Sequence, residues 1–205
     1  MGRRLTSLAD AVSAARALTP ASGRVFLGMA GAPGAGKSTV AEELVTALGP
    51  ASVVVPMDGF HLPNDVLVAR GLADVKGAPE SFDREAFVAL LRRLRSEPGA
   101  VGAPRFDRAA EASVPDAIVV TPAVRLVIVE GNYLLHWPDA HALLDEVWLV
   151  EASSDETRVA SLVARHESFG RTATQAREWV DRNDQANARL VAETSLLADR
   201  VVSVW

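Results

Sequence analysis

The chain has 205 residues, of which 49% are hydrophobic and 23% charged, an ordinary composition for a globular protein. Its formal net charge of −5 gives no electrostatic reason to expect nucleic acid or an anionic membrane as a partner. Cysteine is absent, which excludes disulfides, thiolate metal sites and cysteine nucleophiles.

Residues 1–20 are predicted to form an amphipathic N-terminal helix. Leu5, Leu8, Val12 and Ala15 recur at helical spacing, whereas the continuous apolar stretch of a secretion signal is missing. No run of apolar residues approaches the roughly 20 that a membrane-spanning helix needs. We therefore expect this helix to pack on the domain, and the protein to be cytoplasmic.

Five short runs rich in Val, Leu and Ile predict the strands of a five-stranded parallel sheet. Apolar residues are nearly continuous in each run, as expected of strands that are covered on both faces. Helical patterns lie between the runs, and this alternation is typical of a three-layer α/β fold. The runs are residues 24–30, 52–57, 124–130, 146–151 and 199–204.

Residues 98–122 interrupt the alternation of strands and helices. They are rich in Pro, Gly and Ala with isolated charges, and the stretch is too long for a plain connection. We predict a small insertion here, such as a β-ribbon near a functional edge, within a single domain that spans residues 1–205.

A glycine-rich turn follows the first predicted strand. It matches the pattern G-x-x-x-x-G-K-[ST] at every fixed position, with a strand before it and a helix after it. Glycines let backbone N–H groups turn towards a phosphate, and the start of the helix adds partial positive charge. The turn consists of Gly31, Ala32, Pro33, Gly34, Ala35, Gly36, Lys37 and Ser38, followed by Thr39.

This turn predicts a site for a nucleoside triphosphate. Lys37 would reach the outer phosphates, and the hydroxyl of Ser38 would bind Mg²⁺. The alternative is a flexible turn with a helix-starting lysine, which leaves the order of strand, loop and helix unexplained. We expect Lys37 to be exposed, so that its replacement abolishes turnover with little loss of stability.

Two acidic residues follow the second and third predicted strands. Asp58 ends the stretch VVVPMD, and Glu130 ends the stretch VIVE. Because the carboxyl ends of parallel strands meet at one edge of a sheet, both should lie beside the glycine-rich turn. There they could bind Mg²⁺ and orient an attacking hydroxyl. The alternatives are a turn residue for Asp58 and a solvated or salt-bridged acid for Glu130.

A group of arginines follows the fourth predicted strand, in a predicted lid region at residues 153–175. Arg158 and Arg165 are seven residues apart and share a helical face, and Arg171 follows in a loop. Arginines that close over a triphosphate can neutralise charge in the transition state. A solvated helix face with glutamate partners is the alternative for any one of them.

Several motifs occur together in a specific order along the chain. They are GAPGAGKST, MDGFH, SFDREAF, PRFDR, VEGNYLL, RH with a following Gly-Arg, and NDQANARLV. From about residue 23 onwards, this set resembles the uridine kinase, phosphoribulokinase and bacterial pantothenate kinase group of P-loop kinases. The resemblance implies a P-loop NTPase fold with a helical lid, the use of ATP and Mg²⁺, and self-association.

The resemblance also implies roles for individual residues. Asp58 would orient or deprotonate the acceptor hydroxyl, and Glu130 would be the second acid of the metal site. Arg165 and Arg171 match lid arginines that act on the phosphates together with Lys37.

An acceptor site can be predicted in the same way. Asp83, Phe106 and Asn187 match positions that contact or face the acceptor in the related kinases. His61 and Tyr133 lie close to Asp58 and Glu130 in the sequence and could line the same pocket. His61 could instead only form a hydrogen bond within its own loop. Asp83 could instead only cap the helix that follows it.

We predict an enzyme that transfers the γ-phosphoryl group of ATP to a hydroxyl of a small metabolite. Nucleosides, sugars and pantothenate-like compounds are the acceptor classes that the resemblance implies. The alternative is a regulatory P-loop NTPase that acts through a protein partner.

Overall fold

A computed structural model describes residues 3–203 of the chain. In chain order the strands are β1 (Arg3–Leu5), β2 (Val25–Ala30), β3 (Ser52–Pro56), β4 (Val101–Asp107), β5 (Ala112–Val120), β6 (Leu126–Gly131), β7 (Glu146–Val150) and β8 (Arg200–Val202). The α-helices are α1 (Leu8–Leu18), α2 (Lys37–Leu48), α3 (Asn64–Ala69), α4 (Arg84–Ser96), α5 (Pro138–His141), α6 (Asp155–Ser168), α7 (Ala173–Trp179) and α8 (Gln185–Glu193).

The main sheet has six strands in the order β1-β8-β7-β2-β6-β3, and all neighbours are parallel. Its strands β2, β3, β6, β7 and β8 correspond to the five predicted apolar runs, so the α/β prediction is confirmed. Residue 204, the end of the last predicted run, lies outside the described residues.

The count of five strands is wrong, because β1 pairs with β8 at the edge of the sheet. The N-terminal helix therefore begins at Leu8 and not at the start of the predicted range 1–20, whose first two residues are not described. Ser7 accepts a hydrogen bond from the backbone N–H of Asp10 at 3.1 Å and so fixes the first turn of α1.

The sheet separates two hydrophobic cores, which gives the predicted three layers. Neighbouring residues of β2 point to opposite faces: Leu27 packs with α1 and α2, whereas Phe26 packs with the core that contains α4 and α5. The central strands β2, β6 and β7 are buried on both faces, which explains why their sequences are nearly continuous runs of apolar residues.

The predicted insertion forms an antiparallel hairpin of β4 and β5 beside the main sheet. The hairpin packs on a short 3₁₀ turn, Met57–Phe60, that follows β3. The hydroxyl of Ser113 donates to the carbonyl of Gly59 at 2.6 Å. This contact joins the insertion to the segment that contains Asp58.

The helical segment between α6 and β8 consists of α7, one π-helical turn at Val180–Asp184, and α8. Single π-helical turns inside α-helices are frequent at functional sites. None of the helices within residues 3–203 is both apolar and long enough to cross a bilayer.

We expect Gly59→Ala to destabilise the protein, because the hairpin approaches this glycine closely. An added Cβ would overlap the carbonyl oxygen of Pro104 and lie 2.8 Å from its carbon. The free energy of unfolding in urea should fall by about 1–3 kcal/mol, the usual cost of overpacking. Gly99→Ala is the control, because a Cβ at Gly99 has no neighbour within 4 Å. Equal stability of the two variants would contradict this account of the packing.

Candidate active site

Most of the predicted site residues converge on a cleft of about 450 Å³ at the carboxyl ends of β2, β3 and β6. The glycine-rich loop Gly31–Ser38 borders one side of this cleft, and the β4–β5 hairpin borders the other. This is the edge at which ligands bind in open parallel sheets.

The glycine-rich loop depends on its glycines for both conformation and packing. Gly34 and Gly36 have φ values of 77° and 91°, in the left-handed region that favours glycine. A Cβ on Gly34 would also lie 2.7 Å from Cγ of Leu162, because α6 packs directly on the loop. The loop can therefore curl tightly before α2 begins at Lys37.

Lys37 is buried, with 7% of its surface exposed, so the expectation of an exposed lysine is wrong. Its Nζ donates to the carbonyl of Ala32 at 3.1 Å and to Oδ1 of Asn132 at 2.8 Å, and it lies 4.0 Å from Oε1 of Glu130. The side chain folds back inside its own loop and meets the end of β6. Burial lowers the pKa of Lys37 below its ordinary value.

Ser38 and Glu130 also meet at the start of α2. The hydroxyl of Ser38 donates to Oε2 of Glu130 at 3.1 Å. Burial raises the pKa of the Glu130 carboxyl, and the nearby charge of Lys37 opposes this effect. Asp58 lines the same cleft from the segment after β3.

The hydroxyl and carboxylate oxygens of Ser38, Glu130 and Asp58 are the ligands that Mg²⁺ prefers. Residues 3–203 contain no cluster of three or more His, Asp or Glu side chains arranged to hold a metal. Mg²⁺ is usually bound by one or two carboxylates together with substrate phosphates and water, so this donor set fits it.

Asp58 forms an ion pair with Arg108, which lies in the turn between β4 and β5. Nη2 of Arg108 donates to Oδ2 of Asp58 at 2.9 Å. We did not predict Arg108 as a site residue, although it is the last residue of the motif PRFDR. Its position in the hairpin turn is what brings it to the cleft.

The three predicted arginines occupy different places. Arg165 lines the cleft, and burial lowers its pKa. Arg171 also lines the cleft, with its guanidinium carbon 3.8 Å from the centre of the Trp179 ring. Arg158 faces away from the cleft: it donates to the carbonyl of Pro33 at 3.1 Å and forms an ion pair with Asp155. Arg158 therefore supports the loop from behind.

A row of rings lines the opposite side of the cleft. Nδ1 of His61 lies 2.9 Å from the carbonyl oxygen of Asp58, and burial lowers the pKa of His61. Its ring centre is 4.0 Å from that of Phe82 and 4.9 Å from that of Phe106. His61 and Phe106 thus line the same cleft as Asp58.

Asn187 lies in the wall of the same cleft, on α8, and is 5% exposed.

A contact between His166 and Asp184 joins α6 to the π-helical turn, because Nε2 of His166 lies 2.8 Å from Oδ2 of Asp184. His166 and Asp184 stand in the motifs RH and NDQANARLV, but their contact could not be predicted, because they are 18 residues apart and meet only through the packing of the two helices.

The structure does not bring Asp83 and Tyr133 into the cleft. Asp83 is the N-cap of α4, where Oδ1 accepts a hydrogen bond from the N–H of Ala86 at 2.9 Å. Tyr133 is fully buried, and its hydroxyl donates to the carbonyl of Gly77 at 2.6 Å. Both side chains are directed by local partners that their place in the motifs does not indicate.

Two proteins with similar sequences are named as kinases. A Schizosaccharomyces pombe protein described as a putative uridine kinase is 38% identical over 200 residues, which cover 87% of this chain and 83% of that protein. A pantothenate kinase of Nocardioides sp. is 39% identical over 114 residues, which cover 53% of this chain and 35% of that enzyme. No protein-family model matches the sequence.

A solved structure extends this similarity to the whole fold. The crystal structure of a putative fructose transport system kinase from Silicibacter sp. TM1040 superposes with a TM-score of 0.86 and 38% sequence identity. The match covers 96% of this chain and 99% of that one.

We expect Lys37→Met to reduce stability as well as any turnover, because the lysine is buried. The substitution leaves Oδ1 of Asn132 without its donor and the carboxylate of Glu130 without its cation. The free energy of unfolding in urea should fall by about 1–3 kcal/mol, the cost of unsatisfied buried polar groups. Unchanged stability would mean that these contacts contribute nothing in solution.

Asp83→Ala should act on stability alone, because this carboxylate caps α4. The loss of an N-cap costs about 1 kcal/mol, which urea denaturation would measure. Asp83→Asn is the matched control, since asparagine is an equally good N-cap. An Asp83→Ala variant of normal stability but impaired acceptor kinetics would restore Asp83 to the acceptor site.

Proposed function

Because the chain belongs to the P-loop kinases related to uridine kinase and bacterial pantothenate kinase, we propose that it transfers the γ-phosphoryl group of ATP to a hydroxyl of a small metabolite. Within this proposal the chain is a single kinase domain, and residues 153–175 form its lid. The acceptor hydroxyl binds at Asp58, and the triphosphate binds in the loop Gly31–Thr39.

One observation carries the proposal: the glycine-rich loop, the buried Lys37 and two acids border a single cleft. A phosphate-binding loop supplies the phosphate side, with backbone N–H groups and the N-terminus of α2. Asp58 supplies a carboxylate on the opposite side, beside the rings of His61 and Phe106. A triphosphate and an acceptor could therefore lie in contact within one cleft.

In the proposed reaction the acceptor hydroxyl donates a hydrogen bond to the carboxylate of Asp58. Its oxygen forms a bond to the γ-phosphorus, and the bond from that phosphorus to the bridging oxygen breaks to release ADP. The proton passes to Asp58 or to water. Such transition states are loose, so the main task of Asp58 is to align the hydroxyl.

The remaining polar side chains of the cleft would neutralise the negative charge of the phosphates. Ser38, Asp58 and Glu130 would hold Mg²⁺, which neutralises charge on the β- and γ-phosphates when it is bound. Lys37, Arg165 and Arg171 would neutralise the outer phosphate oxygens. Arg158 contacts the backbone of the loop and not the cleft, so it is a positioning residue.

The function can be tested by measuring ADP release from ATP with and without a panel of nucleosides, sugars and pantothenate. A kinase should release ADP and form a phosphorylated product only when its acceptor is present. Turnover that is indifferent to every small acceptor and raised by a protein partner would instead support a regulatory NTPase.

Asp58→Asn should separate binding from chemistry, because it preserves shape and removes the charge that aligns the hydroxyl. ATP should bind normally, while phosphoryl transfer should fall by roughly 10²–10⁴-fold, the range for an acid/base group. Asp65→Asn is the matched control, since Asp65 is exposed on α3 and does not line the cleft. Full activity of Asp58→Asn would leave Asp58 as a turn residue only.

A further inference from the structure

The proposed acceptor side of the cleft contains a second, partly buried cation, Lys76. Its Nζ lies 5.3 Å from the centre of the Phe106 ring, and 21% of its side chain is exposed. Nζ donates to Oδ1 of Asn64 at 2.8 Å, which is a neutral partner. The charged partner is Glu111, which lies 3.5 Å away and is 65% exposed.

This arrangement leaves the charge of Lys76 incompletely balanced. A partly buried cation gains from a counter-charge, because it has lost part of its hydration. An ion pair with an exposed carboxylate at the limit of hydrogen-bond distance contributes little. Lys76 is therefore placed to gain from an anion that enters the cleft.

Arg108 provides a second positive charge in the part of the cleft that contains the rings of His61 and Phe106. In the structure it is paired with Asp58, the residue that we propose for the acceptor hydroxyl. Both partners are partly exposed, so the pair contributes little to stability. An acceptor hydroxyl that binds to Asp58 would release the guanidinium at the mouth of the cleft. The charges of Lys76 and Arg108 both help to lower the pKa of His61, whose burial is the larger cause.

The amide of Asn187 adds a polar group at the Lys76 end of the cleft. Asn187 is 95% buried, yet its side chain makes no hydrogen bond within residues 3–203. Within residues 3–203, every fully buried side-chain nitrogen or oxygen has a hydrogen-bond partner. Because the amide of Asn187 has none, it is not fully buried, and it is open to the cleft that Asn187 lines. Gly77 follows Lys76 in the sequence and lies close to this amide. A Cβ added to Gly77 would be 3.7 Å from Nδ2 of Asn187.

We propose that the acceptor is an anion, a small hydroxy compound with a carboxylate or a phosphate ester. Its hydroxyl lies at Asp58, and its anionic group is bound by Lys76 and Asn187 and approached by Arg108 once that residue leaves Asp58. This inference rests on the proposed kinase function and narrows its acceptors to charged ones.

The test compares matched pairs that differ only in the charged group. D-glycerate and glycerol, pantothenate and panthenol, and ribose 5-phosphate and ribose are the probes, so carboxylate and phosphate are examined separately. Binding to the full chain would be measured calorimetrically in the presence of a non-hydrolysable ATP analogue. At least one anion should bind about 10- to 100-fold more tightly than its neutral partner, as expected for hydrogen bonds to charged groups.

Variants then assign the preference to Lys76. Lys76→Gln should abolish the difference between the anion and its neutral partner, and Lys76→Arg should retain most of it. Arg105→Gln is the control, because it removes a positive charge from β4 outside the cleft lining. Circular dichroism of each variant would show that loss of binding is not loss of folding.

The proposal is overturned if no anion binds, if the neutral partners bind equally well, or if folded Lys76→Gln keeps the preference. Failure of the kinase function would look different. In that case an anion would bind with the expected dependence on Lys76, but ATP would yield no ADP and no phosphorylated product in its presence.

Discussion

The cleft depends on the burial of one charged side chain, that of Lys37. Its ammonium links the loop after β2 to the end of β6, through the carbonyl of Ala32 and the amide of Asn132. These contacts replace the water that the charge loses on burial. The loop can close around the ammonium because Gly34 and Gly36 adopt left-handed conformations. The glycines, the lysine and the end of β6 therefore form one structural unit, so the side of the cleft that we propose for the triphosphate is already formed in the free protein.

The acceptor side depends on a different constraint, the close packing of the β4–β5 hairpin on the turn Met57–Phe60. The absence of a side chain at Gly59 and the hydrogen bond from Ser113 hold the two segments together. The same hairpin supplies Arg108 and Phe106, while the turn supplies Asp58. A shift of the hairpin would thus move the aligning carboxylate and its surroundings together. The insertion is part of the site and not an addition to its border.

The sequence predicts the parallel sheet and the glycine-rich loop well, because both signals are local. The strand β1 could not be predicted, since three residues show no periodicity and only the pairing with β8 defines them. The burial of Lys37 depends on Asn132, which is 95 residues away. For Asp83 and Tyr133, the motifs predict the correct region of the fold but not the direction of the side chain. The direction of each side chain is determined by nearby backbone groups that form hydrogen bonds with its polar atom.

The two sides of the cleft hold their acids in different ways, and this difference bears on how ligands are recognised. Glu130 is buried and contacts both Lys37 and Ser38, so its surroundings are fixed by packing. Asp58 is partly exposed and paired with Arg108, so it can exchange its partner at little energetic cost. In the proposed reaction the nucleotide meets a preformed site, which requires little reorganisation. The acceptor, by contrast, must displace an ion pair, and it can do so best if it brings both a hydroxyl for the acid and a negative charge for the cation.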